Sequence, residues 1–161
     1  AIFTREGGDS WMENIAAEWL RGRASLGAAG GWTAEEMRLV ADVGYALAEQ
    51  GREDEAITIF EGLAALAPAT GYFQSSLGAL WLRKGDPQRA VEYLDAALAS
   101  DPADLNALTN RGEALLQLGE REAARRDLQR VARVSVNPRE PEADCVTRAR
   151  ALLRADASTG A

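Results

Sequence analysis

Gly44-Tyr45-Ala46-Leu47-Ala48-Glu49-Gln50-Gly51-Arg52-Glu53-Asp54-Glu55-Ala56-Ile57-Thr58-Ile59-Phe60 is the stretch on which the fold turns. Its punctuation returns twice, as Gly78, Gly85, Ala90 and Leu94 and then as Gly112, Gly119, Ala124 and Leu128, each set 34 residues after the last. Leu63, Ala97 and Val131 continue the register. Pro68 and Pro102 close the first two copies, and the third has Val136 there with Pro138 shortly after. A lone glycine says little, but agreement at this many positions in three copies marks an internal repeat.

The spacing fits a helical hairpin. Thr33-Ala34-Glu35-Glu36 reads as a capping box that opens a helix, on which Val40, Val43, Gly44 and Leu47 form one apolar stripe with a small residue in its middle. Gly51 ends that helix, and a second carries Ala56, Ile57, Phe60 and Leu63 inward before Pro68. Asp86-Pro87 starts a later helix in a similar way, with Asp as cap and Pro where its missing N–H does no harm. A hairpin of this kind buries one side of itself, so neighbours must stack on it.

Composition removes many other readings. The chain has 161 residues with 18 basic and 25 acidic side chains, a net charge of −7, no His and one Cys. Without His, neither a Cys/His zinc site nor a Ser-His-Asp or Cys-His nucleophile can be built, so no catalytic residue, metal or cofactor is expected. Cys145 reads as a packed thiol, and a single Cys favours a cytoplasmic location. No apolar run is long enough for a membrane span, and no secretion signal opens the sequence, whose start at Ala1 rather than Met fits a trimmed fragment. Excess acid argues against a nucleic-acid partner. Alanine makes up about a fifth of the residues, which suits an all-α chain.

Two flanks remain. Ser10-Trp11-Met12-Glu13 opens a short helix on which Trp11, Ile15 and Trp19 make an apolar stripe, facing either the first repeat or a second copy of the chain. Residues 22–32 form a Gly-rich connector that lacks any phosphate-binding signature. Val146, Ala149, Leu152 and Leu153 mark a last helix. The expected organisation is a tail at 1–8, helix and connector at 9–32, repeats over 33–136, a capping helix within 137–156 and a tail at 157–161.

The repeat resembles the tetratricopeptide repeat, which implies three tandem hairpins, about 37–70, 71–104 and 105–138, wound into a right-handed superhelix. Trp19-Leu20-Arg21-Gly22, Tyr45 with Gly51-Arg52-Glu53-Asp54-Glu55-Ala56, and Tyr72-Phe73 with Leu77-Gly78-Ala79 are similar to the class II chaperones of bacterial type III secretion. That resemblance implies a non-catalytic scaffold holding an extended segment of a hydrophobic translocator in a concave groove, and a homodimer through Trp11, Ile15 and Trp19. The alternative is a repeat adaptor in another bacterial complex.

The repeat family lines its groove from positions 2, 5, 6, 9 and 12 of each first helix. Here the first copy supplies Arg38, Ala41, Asp42, Tyr45 and Ala48. The second supplies Tyr72, Ser75, Ser76, Ala79 and Leu82, and the third Asn106, Thr109, Asn110, Glu113 and Leu116. Such a wall, with two rings, small gaps, amides and hydroxyls, suits an extended peptide. It does not suit the carboxylate clamp of heat-shock cochaperones, because Asp42 would repel the carboxylate and the third copy supplies no cation. The arginines from Arg121 to Arg133 read as a solvated outer face interrupted by Glu122 and Asp127.

Overall fold

The computed structural model describes residues 32–159. Among them run seven α-helices and no strand: α1 (Ala34–Glu49), α2 (Glu53–Leu66), α3 (Gly71–Lys84), α4 (Pro87–Ser100), α5 (Leu105–Gln117), α6 (Arg121–Ala132) and α7 (Ala143–Thr159). The chain divides into two compact units, Ala1–Pro68 and Ala69–Ala161. The described part of the first is the α1–α2 hairpin, while the second holds α3 to α7. The expected helix bearing Trp11, Ile15 and Trp19 lies outside the described residues.

Each hairpin is punctuated by its sequence. Thr33 and Glu36 form the reciprocal capping box: the Glu36 N–H donates to Thr33 Oγ1 at 3.2 Å, and the Thr33 N–H to Glu36 Oε2 at 2.7 Å. The Asp86 and Asp104 carboxylates cap α4 and α5 by accepting from the Arg89 and Ala107 N–H groups at 3.1 and 3.0 Å. Gly51, Gly85 and Gly119 all take positive φ, at 76°, 85° and 80°. At each, the following N–H, of Arg52, Asp86 or Glu120, donates at 2.9 Å to the carbonyl five residues back, of Leu47, Trp81 or Leu115. One turn chemistry thus ends three helices at the same repeat position.

Packing follows the same register. In the first unit Val40, Ile59, Phe60 and Leu63 are fully buried, with Gly44 leaving space for the Phe60 ring. In the second, Leu77, Leu94, Leu108, Leu128 and Val131 form the core, with Gly78 against Leu94 and Gly112 against Leu128. Trp81 is buried, and its ring lies under the Arg89 guanidinium carbon, 4.4 Å away, and the Lys84 ammonium, 5.1 Å away.

α7 packs on both α5 and α6. Val146 and Ala149 are buried, and the Arg150 guanidinium caps α6 by donating to the carbonyls of Ala132 (3.0 Å) and Val134 (3.3 Å). Near its far end the buried Asp156 pairs with Arg125 at 2.6 Å and Arg121 at 3.4 Å, both from α6. The helix runs to Thr159, so residues 157–159, expected as tail, belong to it.

Two predictions arise here. Burial pushes the Cys145 thiol up from its ordinary value, and its Sγ–H donates to the Glu142 carbonyl. A thiol reagent at neutral pH should therefore label the folded chain slowly and the urea-unfolded chain at the rate of a free thiol; equal rates would contradict this packing. Hydrogen bonds from Thr33 lower the carboxyl pKa of Glu36, and the Arg52 guanidinium, bonded at 2.6 and 2.5 Å, lowers that of Glu55. Folded values below the ordinary 4.5 mean stability present above that pH and lost as pH falls through the folded values. Thermal midpoints should drop below about pH 4.5, and Glu36→Gln with Glu55→Gln should flatten that drop.

Candidate functional site

The first unit presents the α1 face. Arg38, Asp42 and Tyr45 are exposed, whereas Ala41 and Ala48 are almost fully buried and shape the floor. Tyr45 stands edge-on to Phe60, with ring centroids 5.0 Å apart, so the core fixes the ring while 37% of the residue stays accessible.

In the second unit the corresponding face belongs to α3 and α5. Tyr72 is 52% exposed and braced edge-on by Phe73 at 5.6 Å, and Phe73 itself is buried. Tyr45 and Tyr72 are the exposed large hydrophobic residues among those described, and both occupy expected groove positions. That coincidence marks the two rings as candidate contact points on these faces. Ala79, two turns further along α3, is half-buried and short.

Burial corrects other expected groove contacts. Ser75, Ser76 and Leu82 are buried, and the Ser76 hydroxyl donates back to the Tyr72 carbonyl at 2.9 Å, which takes it out of service as a free donor. Thr109 is fully buried: its hydroxyl donates to the Leu105 carbonyl at 2.7 Å and faces the Cys145 thiol of α7. These side chains support the face from beneath. Asn106 is exposed, and Asn110, Glu113 and Leu116 are half-buried.

Asn110 and Glu113 do not stand alone. The Arg148 guanidinium of α7 donates to Asn110 Oδ1 at 3.0 Å and pairs with the Glu113 carboxylate. Arg148 was not expected at this face, and the spacing of Val146 and Ala149 is the signal that turns it toward α5 once α7 is docked. The third copy thus acquires a cation from outside its own repeat, although one already paired with Glu113.

The opposite side carries the structural charges. Arg111 of α5 spans α4 and α6, holding Asp127 through Nε at 2.7 Å and Nη2 at 2.9 Å, and Asp95 through Nη1 at 2.6 Å. Arg121 and Arg125 are committed to Asp156, and Arg130 donates to the Pro102 carbonyl at 2.9 Å. The arginine-rich α6 is therefore partly a docking strip for its neighbours. No group of three or more His, Cys, Asp or Glu side chains among the described residues could hold a metal ion, and no described helix is long and apolar enough to cross a membrane.

Comparison with known proteins agrees with this architecture. Residues 82–143 match the family model of the tetratricopeptide repeat. Protein FlbA of Caulobacter vibrioides is 32% identical over 93 residues, 58% of this chain but only 16% of that protein, so the chain spans about a sixth of this curated relative. Among solved structures, the Yersinia enterocolitica type III secretion chaperone SycD in complex with a peptide of the translocator YopD is 21% identical. It superposes with a TM-score of 0.69, covering 80% of this chain and 98% of that one. The first tetratricopeptide domain of Spaghetti (RPAP3) bound to an HSP90 peptide is 22% identical, with a TM-score of 0.64 over 78% of this chain and 96% of that one. At these identities the likeness shows the fold.

Proposed function

We propose that this chain of helical hairpins is a non-catalytic, cytoplasmic scaffold that holds an extended segment of a hydrophobic secreted translocator on the exposed faces of α1, α3 and α5, as a type III secretion chaperone. The observation that carries this reading is the exposure of Tyr45 and Tyr72, each braced by a buried phenylalanine, on faces that also carry small side chains such as Ala41, Ala48 and Ala79. Braced rings on such faces give an extended chain fixed points for alternate side chains. The likeness to SycD, solved with a translocator peptide, supports the chaperone form of the reading. The likeness to a domain bound to an HSP90 peptide supports peptide binding, but Asp42 would repel the carboxylate that such a clamp holds.

An adaptor role is the second reading, favoured by the match of 93 residues to a stretch of a much longer protein. The two differ in their partner. The chain should recover from native lysate of its source a polypeptide that aggregates when expressed alone and stays soluble with it; a partner that is folded and soluble alone would favour the adaptor. Tyr72→Ala should weaken capture about tenfold, the effect of removing an interface ring worth about 1.4 kcal/mol, without loss of helicity. Unchanged capture would place the site elsewhere. The proposed dimer is tested by deleting residues 1–21: sedimentation should show a twofold mass before truncation and a single chain after it, and a monomer at the outset would refute it.

A further inference from the structure

α7 stands where the first helix of a fourth repeat would stand. It starts at Ala143, four residues later than the 34-residue spacing from Leu105 would place it, and the extra length lies in the loop with Pro138 and Pro141. It packs on α5 and α6 as α5 packs on α3 and α4. Its contacts fix its direction. Arg150 reaches the end of α6 and Asp156 the start, so α7 runs antiparallel to α6.

Numbered from Ala143 as α5 is from Leu105, α7 buries Val146 and Ala149 at the core positions of the repeat. The same count assigns Asp144, Thr147, Arg148, Ala151 and Arg154 to groove positions, and all five are exposed. Arg148 falls at the position that Asn110 holds in α5, and its guanidinium contacts Asn110 and Glu113, two groove residues of α5. Register, exposure and hydrogen bonding therefore place Arg148 on one wall with α5.

We infer that α7 is a working wall of the client-binding face, and that Arg148 is a positioning residue for an extended polypeptide bound there. This rests on the reading of the α3 and α5 faces as client surface. Arg148 does two things to its neighbours. By occupying Asn110 Oδ1 it leaves the Asn110 amide N–H groups to donate, which is the polarity needed to grip a peptide carbonyl. By pairing with Glu113 it cancels a charge that would otherwise repel that carbonyl and penalise burial of an apolar segment. The occupant this wall fits is an uncharged, extended segment held through its backbone, rather than an acidic tail.

The test uses a defined probe: a fluorescein-labelled peptide selected from a random 15-residue display library on the wild-type chain, with affinity read by polarisation. Arg148→Ala should weaken binding about tenfold, the scale of losing charge-assisted hydrogen bonds at a binding face. Arg148→Lys should recover part of it, since an ammonium can neutralise Glu113 without the planar fork that also orients Asn110. Arg148→Ala with Glu113→Gln should also bind more tightly than Arg148→Ala alone, because the stranded charge is gone. A purely structural Arg148 would show a lowered thermal midpoint with the affinity of the folded chain unchanged, and equal affinity of the wild-type chain and Arg148→Ala overturns the inference while leaving the client surface standing. A library that yields no binder overturns both.

Discussion

Gly78→Val is expected to destabilise the second unit by about 3 kcal/mol or more, at the upper end of overpacking effects. A Cβ at this position would lie 2.3 Å from Leu94 Cγ and 2.6 Å from Leu94 Cδ2, well inside contact distance. Leu94 is fully buried between α3 and α4, so it has no solvent-filled space to turn into, and either its rotamer or the separation of the two helices must change. Urea denaturation followed by circular dichroism should show a lower midpoint with little change in slope. Gly78→Ala paired with Leu94→Ala should lose less than the sum of the two single changes, because the truncated leucine makes room for the new methyl. Simple additivity would mean that the close approach of these helices does not rest on this contact.

Asp127→Ala should cost about 2–3 kcal/mol, somewhat under the range for breaking a fully buried ion pair. The Asp127 side chain is 7% exposed and accepts two of the Arg111 hydrogen bonds, whereas the Arg111 side chain retains 24% exposure, which moderates the penalty for stranding it. Asp95, at 57% exposure, also pairs with Arg111, but solvent screens it; Asp95→Ala should cost under about 1 kcal/mol. Replacing Arg111 and Asp127 together by Leu should recover much of the loss, since no unpaired charge is then left inside. The asymmetry between the two aspartates is the discriminating result. Equal losses would show that Arg111 acts as a surface charge and not as the tie between α4, α5 and α6.

The repeat could be read from sequence because its determinants are local. Gly51, Gly85 and Gly119 each fix a left-handed turn through backbone bonds to residues a few positions away, and Thr33 with Glu36, Asp86 and Asp104 cap helices within one turn. The exposed tyrosines were legible for the same reason, since their places follow from helical phase once the helices are set. Long-range contacts were not. Thr109 was expected as a groove hydroxyl, but whether that face is open depends on where α7 docks, thirty-odd residues downstream and after a loop that breaks the 34-residue spacing. Arg148 was missed for the complementary reason, because its partners Asn110 and Glu113 become neighbours only through that docking. Ser76 shows a third limit, in that a serine within a helix can return its O–H to its own backbone and have no proton to donate to a ligand.

The central claim is that the tyrosine-bearing faces, of α1 in the first unit and of α3 and α5 in the second, are surfaces for extended polypeptide. Amide hydrogen exchange of the chain with and without its captured partner addresses it most directly, supported by side-chain footprinting at Tyr45, Tyr72, Asn110 and Arg148. The account predicts protection at those side chains and slowed exchange along α1, α3, α5 and α7, with the outer faces of α4 and α6 unchanged. Protection centred on the exposed side chains of α4 and α6, with Tyr45 and Tyr72 as reactive as in the unbound chain, would contradict it.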